Sequence, residues 1–160
     1  MQDLSAKSAY ELKTPYAFWQ DSEGIPAYGG YWIEDVRTVE LADWQRTGGR
    51  GAFVNLNGAG MNCDAHINEI PAKQQLKPER HLYEEIIFIL GGQGATVIWN
   101  DGGPKHTLEW QEGSLFSPPL NAWHQHFNAD ASKPARFISL TSAPQAINQF
   151  RNLDFIFNNS

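Results

Sequence analysis

The sequence predicts an all-β fold, an antiparallel barrel or sandwich, with a short helix at each end. Three observations predict it. Short runs rich in β-branched and aromatic residues recur through the middle of the chain at spacings of about 8–12 residues. Clusters of Gly, Pro, Asn and Asp punctuate them, most clearly Gly91-Gly92-Gln93-Gly94 and Asn100-Asp101-Gly102-Gly103-Pro104. Helix-start signals occur only near the two termini.

At the start, Thr14-Pro15 supplies an N-cap and a favoured first helical position. The helix runs through Tyr16-Ala17-Phe18-Trp19-Gln20, and Gly24 can end it. Nine runs then read as strands: Tyr31 to Leu41, Gly51 to Leu56, Ala65 to Ile70, Glu79 to Leu90, Ala95 to Trp99, Lys105 to Trp110, Ser114 to Phe116, Ala122 to Phe127 and Ala135 to Leu140. Near the end, Pro144 opens a second helix through Ile147 and Phe150, with Ser142 or Ala143 as cap. No internal repeat and no long linker interrupts the 160 residues, so one domain is expected.

The balance of 12 Lys+Arg against 18 Asp+Glu leaves a formal charge of −6. Nucleic acid and anionic membranes both require a cationic face, so neither is an expected partner. The longest strictly apolar run, Ile86 to Leu90, falls far short of the ~20 residues that span a bilayer. The one cysteine, Cys63, excludes an internal disulfide framework and reads as a small packed residue. The opening residues carry no secretory pattern, and a cytoplasmic setting is expected.

Residues two apart share a face in a strand. From Glu79 onward one face carries Glu79, His81, Tyr83, Glu85, Ile87 and Ile89. It begins in potential metal ligands and ends in aliphatic packing. Beyond residue 86 both faces are apolar, which predicts cover on both sides. His124 and His126 share a face of a later strand. Imidazole nitrogen with carboxylate oxygen suits a divalent first-row ion. His66 is expected in the core or on the surface, and His106 in solvent beside a turn. The Gly91–Gly94 turn leads into a strand, not a helix, so it lacks the helix N-terminus a phosphate loop needs.

The two segments resemble the paired motifs of the cupin superfamily. The first motif reads HxH, three or four residues, Glu, six residues, Gly. Here His81 stands before Glu85, and Glu85 plus six residues reaches Gly92; Glu79 occupies the first His position. The second reads Gly, five residues, PxG, two residues, His, three residues, Asn. Gly113, Pro119, His124 and Asn128 fit that spacing, with Asn121 in place of the inner Gly. Asn tolerates left-handed backbone angles, so the turn can survive. The runs RHLYEE…ILGGQG and WQEGSLFSPPLNAWHQHFN resemble the amino-terminal half of bacterial cupin proteins.

The resemblance implies a cupin-type double-stranded β-helix, or jelly-roll, barrel. Residues 1–50 would form the amino-terminal helix and outer strands, 51–142 the barrel core, and 143–160 the last helix and tail. It implies metal ligands at His81, Glu85 and His124, with Glu79 in the first His slot or His126 completing the shell instead. Two His with two carboxylates would favour Mn or Fe(II), with Zn, Ni or Cu also accommodated. Tyr83 and His126 are candidates for proton transfer or for orienting a ligand. The expected activity is a mononuclear, dioxygenase-type metalloenzyme acting on a small organic molecule. The alternatives are a non-redox isomerase or lyase and a non-catalytic small-molecule-binding cupin. The long aromatic stretch Gly30 to Leu41 suggests a strand packed on a partner subunit, hence a homodimer.

Overall fold

In the computed structural model the described residues are 13–59 and 62–159. Helix α1 (Pro15–Ser22) begins where expected: the Thr14 side chain accepts a hydrogen bond from the Ala17 amide, with Pro15 at the first helical position. Ten strands follow: β1 (Ala27–Gly30), β2 (Ala42–Trp44), β3 (Gly49–Leu56), β4 (Asp64–Ile70), β5 (Glu85–Gly91), β6 (Gln93–Trp99), β7 (His106–Gln111), β8 (Leu115–Phe116), β9 (Trp123–Asn128) and β10 (Ala135–Thr141). Helices α2 (Ala143–Phe150) and α3 (Leu153–Phe157) close the chain. All but one of the expected strands are present. The short β1, β2 and α3 lack a periodic pattern long enough to read.

The strands form two sheets. The larger has the order β1-β3-β4-β10-β5-β8, with β2 also paired to β3; the smaller has the order β7-β6-β9. The segment 74–79 adds an irregular edge beside β9. The Leu76 amide donates to the His126 carbonyl, and Glu79 and His124 exchange both backbone bonds at 2.9 Å. The chain then crosses to β5 in the larger sheet. The stretch expected as one strand from Glu79 to Leu90 is therefore two pieces in different sheets.

Alternation fixes which side chains point between the sheets. His66, Asn68 and Ile70 on β4, Glu85, Ile87 and Ile89 on β5, and Phe137, Ser139 and Thr141 on β10 are all buried. They face His124, His126 and Asn128 of β9. One half of the interior is a dry cluster of Ile70, Leu76, Ile87, Ile89, Trp110, Ala135 and Phe137. Each large side chain buried there contributes about 1.5–3 kcal/mol. A second cluster joins Tyr16, Trp19, Trp44, Phe53 and Tyr83 to Ala143, Ile147 and Ile156, so the three helices close one end of the interior.

Three further expectations are corrected. Residues 31–41 form bends and turns rather than a strand. The Asp35 carboxylate accepts from the Arg37 amide and guanidinium, and its carbonyl accepts from Thr38. Such local bonds offer the backbone an alternative to a ladder. Ile33, Val36 and Val39 instead pack on the outer face of β3 and β4, while Tyr31 and Trp32 are exposed. The second correction is at β5. Ile86 is 47% exposed and Phe88 39%, so the outer face of that strand is not covered among the described residues. Cys63 is exposed, not packed, because it lies in the turn before β4.

No helix among the described residues is long and apolar enough to cross a membrane. Gly94 illustrates how tightly the smaller sheet is built. A Cβ there would lie 2.0 Å from the Phe127 carbonyl oxygen and 2.5 Å from the Trp110 ring. Gly94→Ala is expected to destabilise the fold by about 1–3 kcal/mol, the usual cost of overpacking. A urea midpoint equal to that of the wild type would show that the indole does not lie against this backbone.

Candidate metal centre

The two sheets meet at a cluster of imidazoles and carboxylates. His81 lies on the crossing between the sheets, Glu85 opens β5, His124 lies on β9, and Glu79 pairs with it through the backbone. Ligand atoms of His81, Glu85 and His124 all lie within 4.8 Å of one another, as do those of Glu79, His124 and His126. His81 Nε2 is 3.1 Å from Glu85 Oε2. His124 Nε2 is 3.6 Å from Glu85 Oε2 and 3.7 Å from Glu79 Oε1. The residues expected from the paired motifs thus come together, although they arise from different elements of two sheets.

Backbone carbonyls orient two of the rings. His81 Nδ1 donates to the Tyr83 carbonyl at 2.9 Å, and His124 Nδ1 to the Ala122 carbonyl at 3.1 Å. A carbonyl only accepts, so each Nδ1 carries a proton and each Nε2 faces the cluster. His124 Nε2 is buried and has no hydrogen-bond partner among the described residues. On neutral His124 that atom carries a lone pair, which here faces two carboxylate oxygens. An unpaired buried acceptor against two anions is unfavourable. A cation held among these groups would remove the conflict, and the donor set fits a divalent first-row ion.

The charges are consistent with this arrangement. Burial raises the Glu85 pKa, but the His81 hydrogen bond and charge outweigh it and hold the group below the usual carboxylate range. Burial pulls His81 down, and Glu85 more than offsets it, so its pKa is raised. Burial pushes His126 down to about 3, so it is neutral. Tyr83 stacks on His81 with ring centroids 3.8 Å apart. Burial, then Glu79 and Glu85, raise its pKa well above 10, so the hydroxyl keeps its proton.

The turn that delivers His124 behaves as expected. Asn121 adopts φ of 61°, its amide donates to the His81 carbonyl, and its side chain accepts from Arg80. The second motif is thereby pinned to the first. The Asn128 side chain is committed to backbone carbonyls. Its amide group donates to the Ile70 and Lys133 carbonyls and holds the following turn. Beside Glu79 and Glu85 is a cavity of about 10 Å³, lined also by Trp19, Trp44, Arg46, His66, Asn68 and Tyr83. That is about the space of one water.

His66 is a core residue, as one of its two expected placements had it, and lies outside the ligand clusters found among the described residues. Its Nε2 is 2.7 Å from Asp64, whose carboxylate also accepts from Tyr16 and Thr141. Asp64, Arg46, Thr96 and Trp110 carried no signal in the sequence. Their roles depend on strand register and on helix docking, which no local pattern encodes. His106 is exposed, as expected.

The family comparison agrees with the geometry. Residues 66–141 match the family described as Cupin domain. A search of curated proteins finds no match. Among solved structures, oxalate decarboxylase of Lactobacillus farciminis, in a formate complex, superposes with a TM-score of 0.56 at 18% identity, over 68% of this chain and 32% of that one. Bacillus subtilis oxalate decarboxylase, a protein with Mn(II) centres, gives 0.54 at 16% identity, over 64% and 27%. The cupin domain of Schizosaccharomyces pombe Cnp3 gives 0.56 at 15% identity, over 75% and 74%. The chain spans about a third or less of the two decarboxylases, and these likenesses establish the fold alone.

The Asp64–His66 pair makes stability depend on pH. Burial lowers the His66 pKa, but Asp64 more than offsets this and the net shift is upward from 6.5. Burial raises the Asp64 pKa, but His66, Thr141 and Tyr16 outweigh it and the net shift is downward from 3.8. The His66 contribution is therefore full below pH 6.5 and lost as pH rises through the folded value. The Asp64 contribution is full above pH 3.8 and lost as pH falls through its folded value. Urea unfolding across this range should show the alkaline loss in the wild type and a flatter profile in His66→Gln; parallel profiles would remove the pair as its source. The order of the paired motifs, the two-sheet scaffold and the matched segment agree: residues 66–141 of this chain form a cupin domain.

Proposed function

We propose that the protein is a metal-dependent enzyme of the dioxygenase type that holds one divalent ion through His81, Glu85, His124 and Glu79 and acts on a small organic molecule. The observation that carries the reading is the buried, unpartnered Nε2 of His124 facing two carboxylate oxygens at 3.6 and 3.7 Å. Two imidazoles with two carboxylates form a hard, anionic donor set, which favours Mn or Fe(II) over Cu. Zn and Ni remain compatible with it.

The chain's own residues divide the work. The carbonyls of Tyr83 and Ala122 fix the His81 and His124 tautomers, as outer partners of metal ligands commonly do. The Tyr83 ring backs His81, and its protonated hydroxyl is available to donate. The apolar cluster around Ile87, Ile89 and Phe137 excludes water from one side. When bound, the ion would supply Lewis acidity and a template for the reactants.

A second reading is a non-redox lyase, isomerase or decarboxylase at the same residues. It is favoured by the oxalate decarboxylases among the structural neighbours, although their likeness is one of fold. A non-catalytic ligand-binding role would leave both activities absent. A homodimer is also part of this proposal. The exposed apolar side chains Ile86, Phe88, Leu115 and Leu140 support it, and light scattering at twice 18.0 kDa checks it.

Protein purified without chelator is expected to retain one ion when offered Fe(II), Mn, Ni and Zn in turn; uptake of none of them ends the metalloenzyme reading. His81→Ala and His124→Ala should each lower occupancy by about tenfold or more while the sheets still form, judged against the 10–100-fold typical of lost outer partners. Equal occupancy in both variants would withdraw the ligand assignment. Oxygen uptake with catechols, enols and diketones supports the dioxygenase, whereas turnover without oxygen uptake supports the non-redox alternative.

A further inference from the structure

His126 differs from its two neighbours in what holds it. Its Nδ1 meets a side chain, the Thr96 hydroxyl, at 2.7 Å, where His81 and His124 each meet a carbonyl. Thr96 lies directly opposite His126 in the β6–β9 ladder and is fully buried. Its hydroxyl has a second partner, Trp110 Nε1, at 3.0 Å. An indole N–H only donates, so the Thr96 oxygen accepts from Trp110. The remaining hydroxyl proton has one acceptor within reach among the described residues, His126 Nδ1. Were His126 to donate from Nδ1 instead, the oxygen would take two donors and the buried hydroxyl proton would have no acceptor. Such orphaned donors are rare in native interiors.

We propose that a Trp110→Thr96→His126 relay locks His126 with its proton on Nε2, so that His126 is a hydrogen-bond donor to a ligand oxygen and not a member of the metal shell. This rests on the proposed metal reading and decides between Glu79 and His126 as the residue completing it. The Nε2 of His126 is buried and unpartnered, and a ring nitrogen of His126 lies within 4.8 Å of ligand atoms of Glu79 and His124. Among the described residues no group lies within hydrogen-bonding distance of an N–H in that position. Such an N–H fits a carbonyl, enolate or carboxylate oxygen of a small molecule placed against the cluster, and it opposes an apolar or cationic group there. Donors fixed before the ligand arrives stabilise charge that develops on such an oxygen.

Gly94 makes the relay possible. A side chain there would strike the Trp110 ring, which must cross that point of β6 for its N–H to reach Thr96. Trp110 and Thr96 are therefore positioning residues, and His126 is the group that touches the ligand.

The test is nitrogen-15 NMR of the histidine side chains through two-bond proton correlations, on metal-free and zinc-loaded protein. The expected pattern is a protonated Nδ1 in His81 and His124, and a protonated Nε2 with bare Nδ1 in His126, in both states. Thr96→Ser should keep the His126 pattern and Thr96→Val should lose it, a difference that a purely structural role for Thr96 would not produce. Zinc affinity in His126→Gln should stay within about threefold of wild type, against the tenfold or more that marks a lost metal partner. A protonated Nδ1 in wild-type His126, a zinc-induced change at its Nε2, or a tenfold loss in His126→Gln overturns the relay and leaves the metal reading intact. Absence of zinc uptake removes the metal reading and leaves the metal-free tautomer result to stand by itself.

Discussion

The interior of this protein is organised around a contact that is unfavourable without a cation. The Nε2 of His124 is sealed from water and aimed at the carboxylates of Glu79 and Glu85. Its other nitrogen is committed to a carbonyl, so the ring cannot turn to relieve the conflict. Burying a lone pair against two anions costs free energy that the rest of the fold must offset. Proteins tolerate such an arrangement where a proton, an ion or a ligand completes it, and sites of this kind concentrate at functional positions.

Much of the surrounding structure serves to hold those groups in place. The exchange of backbone bonds between Glu79 and His124 ties the first motif to the second. The left-handed Asn121 and its bonds to Arg80 and His81 tighten the same junction. Helices α1 to α3 close the neighbouring end, and Tyr83 belongs both to their aromatic cluster and to the stack on His81. The Asp64 carboxylate, which accepts from Tyr16, His66 and Thr141, joins α1 to β4 and β10. A change in helix docking would therefore reach the site through Tyr83 with few intermediates.

Several of these features were legible in the sequence. The spacing of His81 and Glu85, and of Gly113, Pro119, His124 and Asn128, carries the family resemblance that implies the ligand candidates. Period-two alternation also held from His81 through Ile89 on the buried side, even though the chain changes sheets along the way. The same rule failed for 31–41, where the Asp35 side chain captures the backbone amide of Arg37. It also missed the outer face of β5, since an apolar side chain is equally compatible with cover and with exposure.

What the sequence by itself determined was the class of fold and the two motif segments whose resemblance implies the ligand candidates, because these depend on residue type at short spacing. What only the tertiary structure decided was pairing across long separations: Thr96 against His126, Asp64 against Tyr16, and Trp110 against Gly94. Those contacts follow from strand register and from how two sheets stack, which are properties of the whole packed chain. The tautomer of a histidine belongs to the same category, since the partner of one ring nitrogen determines what the other can offer.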